Sequence, residues 1–267
     1  MTGILLKAPP REGLFEHLPW RRNRIAIEEK EFWHGGPQVL LLRVPPHLAE
    51  RPGGWRKLDR MLHNNDISAL LCSAEILSQS PPEAQEIMAR YRSVTPTDYA
   101  GTFLKPMLSQ AAAFCPKPLQ KRSLCIVDQS GERLEYELLL RAAQLAGRVS
   151  ILTDRPTTME PLLERLFDQT GLPVQCLRKN RAEADLVLLL QHTGLSVRAM
   201  IVLDLCAAGG ERAHVLEGRI FRSLTLKLPP AIAANLPVEL TAAERSCLMM
   251  LLLDRSTFES LRPDRLL

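Results

Sequence analysis

No two of the six cysteines, Cys72, Cys115, Cys125, Cys176, Cys206 and Cys247, are close enough to form a CxxC pair. No cysteine–histidine spacing resembles a zinc site either, so the sequence predicts no metal. Four of the six sit inside or at the end of apolar runs, where reduced thiols behave as small hydrophobes. That usage fits a reducing compartment. Long apolar runs are also missing. Cys247 to Leu253 is the longest in the C-terminal part, far short of the roughly 20 residues that cross a bilayer. The N-terminus has no apolar stretch of signal-peptide length. A soluble, cytoplasmic protein without a membrane partner is expected. No internal repeat of about 20–50 residues and no low-complexity segment occurs. Nor does either sign of charge dominate: 34 basic and 30 acidic residues leave a net +4, too mild to argue for nucleic acid. Lysine occurs only eight times, and the arginines are scattered. Their one dense cluster, Arg21, Arg22 and Arg24 beside Trp20, has the makings of a phosphate contact. A solvated turn before a strand is the plainer reading, and no nucleic-acid partner is expected. Finally, there is no nucleophile elbow, P-loop or metal-binding run, including around Trp33-His34-Gly35-Gly36 and His63-Asn64-Asn65-Asp66.

What is present is ordinary globular material: 46% hydrophobic and 24% charged residues in 267. At roughly 100–200 residues per domain, two lobes each large enough for a core fit the length. The boundary falls at Cys115-Pro116-Lys117-Pro118-Leu119-Gln120-Lys121-Arg122, where prolines and cations end a helical stretch. This divides the chain into an N-terminal α/β lobe over 1–118 and a second domain over 119–267 that ends in a helix.

The second half alternates. Leu124-Cys125-Ile126-Val127 reads as a strand, ending in the turn Asp128-Gln129-Ser130-Gly131. Glu135 to Ala146 reads as a helix closed by Gly147. Val149 to Thr153 is a second strand. Thr157 and Glu160 have capping-box spacing ahead of a helix stopped by Gly171. Further strands are expected at 173–177, 185–190, 199–204 and 220–226. They are apolar on both faces, as buried parallel strands are. A last helix starts at Thr241, boxed by Glu244. In the first half, strands are expected at 4–6, 24–27, 39–44 and 67–72. Helices are expected at 55–62, at 81–92 behind a Ser80/Glu83 box, and from Thr97 or Asp98 to Ala113. The fold class is therefore α/β: a Rossmann-like parallel sheet in the C-terminal half, preceded by a smaller α/β lobe.

Three segments carry a family resemblance. The strand Leu124–Val127 with its turn, the polar turn Thr153-Asp154-Arg155-Pro156-Thr157, and Ala184-Asp185-Leu186-Val187-Leu188-Leu189 resemble the NAD(P)-binding domain of the shikimate dehydrogenase and glutamyl-tRNA reductase type. The resemblance spans about residues 119–210. It implies a dinucleotide cofactor, NAD(P), held by Ser130, Gly131 and Arg133 in the first turn and by Asp154 and Arg155 after the second strand. An acidic residue at Asp154's position holds a ribose 2′-hydroxyl, and an arginine there suits a 2′-phosphate.

The fingerprint departs from that family in one respect: only Gly131 of its glycines remains, and Asp128 and Glu132 put negative charge where a phosphate would sit. The lysine and aspartate signature of the shikimate dehydrogenase substrate domain is not recognisable. His192, in the loop Gln191-His192-Thr193-Gly194, is the candidate general acid or base, with Asp204 or Asp128 as its partner. Gly209-Gly210-Glu211-Arg212 would rim the same crevice. Two functions follow as expectations: nucleotide or dinucleotide binding at the carboxyl ends of the strands, or a non-catalytic interaction protein that keeps the scaffold with a degenerate cofactor site and binds a protein partner.

Overall fold

The computed structural model describes residues 1–9, 24–116, 118–192, 194–206 and 213–267. The contacts divide the chain into two compact units: residues 1–94 with 227–261, and residues 95–226 with 262–267.

The first unit is built on a four-stranded sheet in the order β2-β3-β1-β4. β1 (Thr2–Lys7) runs parallel to β3 (Gln38–Val44) and to β4 (Ala69–Cys72), and β2 (Ala26–Glu31) pairs antiparallel with β3. The central strands are apolar and buried, whereas β2 carries Glu28, Glu29, Lys30 and Glu31 on an exposed edge. Charge on an edge strand discourages further pairing. α1 (Pro52–Asn64) buries Trp55, Leu58 and Leu62 against Leu40, Leu42 and Leu70. The Trp55 indole N–H finds the Ala49 carbonyl at 2.8 Å. The helix expected at 81–92 is shorter, α2 (Glu83–Met88), and its predicted box does not form. The Ser80 hydroxyl is spent on the Ile76 carbonyl at 2.7 Å, and Pro82 takes the cap position. The helix Ala242–Leu252 does begin at the expected box. Thr241 accepts from the Glu244 N–H, and Glu244 accepts from the Thr241 N–H at 2.6 Å. The other Glu244 oxygen accepts from the Ala74 N–H at 2.5 Å.

The second unit opens with a 3₁₀ turn at Pro96–Tyr99 and α3 (Ala100–Ala112). Thr95, boxed with Asp98, caps the 3₁₀ turn, and α3 follows Tyr99 with no side-chain cap, so neither Thr97 nor Asp98 caps the helix. β5 (Ser123–Asp128), α4 (Tyr136–Leu145), β6 (Arg148–Leu152), α5 (Pro156–Thr170) and β7 (Gln175–Leu177) alternate as expected. Gly171 closes α5 with a left-handed φ of 66°, a conformation glycine adopts without strain. The Thr157 box does not form. Pro156 opens the helix behind Arg155, and Thr158 donates its hydroxyl to the Arg155 carbonyl at 2.6 Å.

β8 (Arg181–Gln191), β9 (Ser196–Asp204) and β10 (His214–Phe221) follow with no helix between them among the described residues. The strand expected at 220–226 is split. Its start belongs to β10, and β11 (Leu224–Lys227) pairs instead with β12 (Arg262–Leu266).

The six strands β5–β10 form one sheet in the order β10-β9-β8-β5-β6-β7, with every pairing parallel. Counted within this unit, the order is 3-2-1-4-5-6, that of the doubly wound dinucleotide-binding sheet. The fold class is therefore α/β with a Rossmann-like sheet. Leu124–Asp128 and Leu186–Leu190 are buried throughout, as strands covered on both faces must be.

Candidate ligand crevice

In a sheet of this order the direction of winding reverses between the first and fourth strands, β5 and β8. Ligands of such sheets bind outside the carboxyl ends at that point. β5 ends there at Asp128 and β8 at Gln191, which stand in register.

Asp128 is fully buried, at 0% exposure. One carboxylate oxygen accepts from the Gly131 N–H at 3.1 Å and the Ser130 hydroxyl at 3.2 Å. The other accepts from the Arg133 and Leu134 N–H groups, both at 2.8 Å. In a dinucleotide-binding turn, donors of this kind face the pyrophosphate. Here the chain's own carboxylate holds them. Gly131 has φ +71°, and a Cβ built on it would lie 2.7 Å from Thr158 Oγ1 and 3.1 Å from Met159 Cε. Left-handed backbone and close approach to α5 thus account for the surviving glycine of the fingerprint.

The loop after β6 is tied to this turn. The Gln129 carbonyl accepts from the Asp154 N–H at 3.1 Å and from the Thr153 hydroxyl at 3.4 Å. Arg155 lies 3.4 Å from the Glu132 carboxylate, both side chains exposed. The five predicted cofactor residues, Ser130, Gly131, Arg133, Asp154 and Arg155, therefore lie on two interlocked loops, with Asp154 exposed to solvent. Glu135 stands at the N-cap position of α4 without a capping hydrogen bond, and Glu137 lies in its first turn, so the helix end that would face a phosphate already carries anions.

On the other side of the reversal point, His192 follows β8 and is buried at 6% exposure. Asp204 ends β9, in register with Leu189 of β8. The imidazole of His192, the Asp204 carboxylate and the Cys206 thiol each place one ligand-type atom within 4.8 Å of the others. Three hydrogen bonds fix the strand end. Leu205 N–H donates to the Leu189 carbonyl at 3.1 Å, the Leu205 carbonyl accepts from the buried Thr97 hydroxyl at 2.8 Å, and Cys206 N–H donates to Asp204 Oδ1 at 3.3 Å. Burial first, then the charge and hydrogen bond of Asp204, push the Cys206 thiol up to about 12; the His192 backbone acts in the opposite sense, and the charge of Asp128 adds to the rise.

Of the two partners expected for His192, the structure brings Asp204 to it, while the Asp128 carboxylate is taken up by its own turn. By sequence Cys206 is marked only as a small hydrophobe. It has no spacing motif with residue 192, and only the parallel register of β8 and β9 unites them. Arg21, Arg22, Trp20, Thr193 and Gly209-Gly210-Glu211-Arg212 lie outside the described residues; Arg24 is described and exposed.

The segment Ala184–Leu189 serves a different end of the sheet. One Asp185 oxygen accepts from the Ser123 N–H and hydroxyl, both at 2.9 Å, and the other lies 3.5 Å from the buried Arg122. Asp185 therefore joins the start of β5 to the middle of β8, away from the crevice.

No family model matches the chain, and no curated protein does. Among solved structures it is similar to L-tryptophan dehydrogenase from Nostoc punctiforme, at 12% identity and a TM-score of 0.38, over 84% of this chain and 66% of that one. It is also similar to a chorismate mutase/shikimate 5-dehydrogenase fusion protein from Clostridium acetobutylicum, at 12% identity and a TM-score of 0.24, over 76% of each chain. The chain thus spans just under two thirds of the length of the first. Among the described residues no helix is long and apolar enough to cross a membrane.

Proposed function

We propose that this chain binds a nucleotide-class small molecule in the crevice at the carboxyl ends of β5, β8 and β9, with the ligand's phosphates lying outside the Asp128–Leu134 turn. The observation that carries this reading is the strand order. It supports a ligand site where β5 and β8 diverge, and a buried histidine with polar neighbours stands there. His192 is the group suited to proton transfer, with Asp204 orienting it. Asp154 is suited to a ribose hydroxyl. NAD(P) in the usual dinucleotide pose is disfavoured, because the turn's donors already hold the Asp128 carboxylate.

That same observation favours a second reading, a Rossmann scaffold that has lost its cofactor and acts through a protein partner. A thermal-shift panel of adenosine, ATP, S-adenosylmethionine, NAD and NADP separates the two. Ligand at about 100 times its dissociation constant adds about 2.7 kcal/mol, a shift of several degrees for a chain of this size. Shifts with nucleosides and mononucleotides as large as those with dinucleotides support the crevice reading. A shift confined to NADP and abolished by Arg155→Ala would restore the dinucleotide pose. Silence across the panel would favour the scaffold.

A further inference from the structure

We propose that His192, Asp204 and Cys206 form a binding site for one zinc ion. The set combines an imidazole nitrogen, a carboxylate oxygen and a thiol sulfur within 4.8 Å of one another, the donor types that zinc selects. At ordinary zinc–ligand lengths of roughly 2.0–2.3 Å, tetrahedral ligands stand about 3.3–3.7 Å apart. From separations of up to 4.8 Å, the site needs to contract by at most about 1.5 Å, within the reach of side-chain rotation.

The frame is already built. Asp204 and Cys206 are two residues apart at the end of β9, and their backbone is pinned to β8 and to Thr97. His192 comes in from the end of the neighbouring strand and is buried. A hard-cation site would use oxygen ligands throughout, so the thiol and imidazole argue against magnesium or calcium. Three protein ligands leave the fourth tetrahedral position to water or substrate, the pattern of an open rather than a closed zinc site. Binding replaces the Cys206 S–H bond by a sulfur–zinc bond, and the proton leaves to solvent. The inference stands on these three side chains and does not depend on the nucleotide reading; with zinc bound, His192 and Asp204 serve as ligands in place of the proton-transfer and orienting roles assigned above.

The test uses the full chain, stripped with a chelator and titrated with Co²⁺, then with Zn²⁺. The expected result is one cobalt per chain, with thiolate-to-cobalt charge-transfer absorption and the intense visible bands of a tetrahedral site, both displaced by zinc. Cys206→Ser removes the charge-transfer band. Asp204→Asn, which keeps the shape of the side chain and guards against a Cys206 variant that misfolds, weakens zinc by tenfold or more. Far-ultraviolet circular dichroism of each metal-free variant verifies folding. No saturable cobalt spectrum, or a charge-transfer band that persists in folded Cys206→Ser, would overturn the site. Zinc affinity unchanged in Asp204→Asn would overturn it equally.

Discussion

Asp128 decides how the crevice is read, because a single buried carboxylate does the work that a bound phosphate does in a dinucleotide-binding turn. It accepts from the backbone of Gly131, Arg133 and Leu134 at once. Replacing it by alanine removes the acceptor of all three N–H groups; Leu134 is buried, Gly131 half-buried and Arg133 exposed, so the cost of about 1–3 kcal/mol per unmet buried donor applies in full only to Leu134. Asp128→Ala is accordingly expected to lose about 2–4 kcal/mol in urea denaturation. A loss below about 0.5 kcal/mol would mean that the turn holds without it. The sequence shows Asp128 as a negative charge in the wrong place for a phosphate. It does not show that the charge folds back into the turn, because that depends on the backbone between residues 128 and 134. His192 was legible as a loop histidine at the end of an apolar strand, and Asp204 as one of its two candidate partners. Cys206 was not, because a cysteine ending an apolar run looks the same whether it packs or ligates.

At the scale of elements, caps separate what spacing alone reveals from what it does not. The Thr241/Glu244 box forms with Thr241 extended, at φ −62° and ψ 163°, and its hydroxyl accepting from the Glu244 N–H at 3.2 Å. Thr241→Ala is expected to cost about 1 kcal/mol, read as a lowered denaturation midpoint with an unchanged urea slope; a stability within experimental error of the parent would refute the cap. Two boxes with the same spacing fail for local reasons. Pro156 starts α5 one residue ahead of Thr157, and Ser80 bonds backward to Ile76. Before α3, Thr95 caps the 3₁₀ turn, α3 itself follows Tyr99 without a side-chain cap, and Thr97 holds the Leu205 carbonyl. A motif thus specifies a cap only when its side chain has no better partner in the preceding turn or in the tertiary structure. Strands were easier to read. Their uninterrupted apolar runs come from burial on both faces; β5, β8 and β9 contain the expected segments, and β6 covers all of its expected segment except Thr153.

For the whole molecule, the alternation up to β7 was legible as strand, helix, strand. The order 3-2-1-4-5-6 was not, because pairing depends on which edges meet, and β8, β9 and β10 follow one another without a helix to mark the crossover among the described residues. That order makes the ends of β5, β8 and β9 the candidate crevice, and the filled turn sets what should bind there. Titration calorimetry of the full chain with adenosine and with NAD puts this to the most direct test. With the turn's donors held by Asp128, the pyrophosphate adds little, and the two dissociation constants should agree within about tenfold, or 1.4 kcal/mol. NAD binding more than about 100-fold tighter than adenosine, a gap of about 2.7 kcal/mol, would mean that the pyrophosphate is seated on the turn after all and would contradict the account.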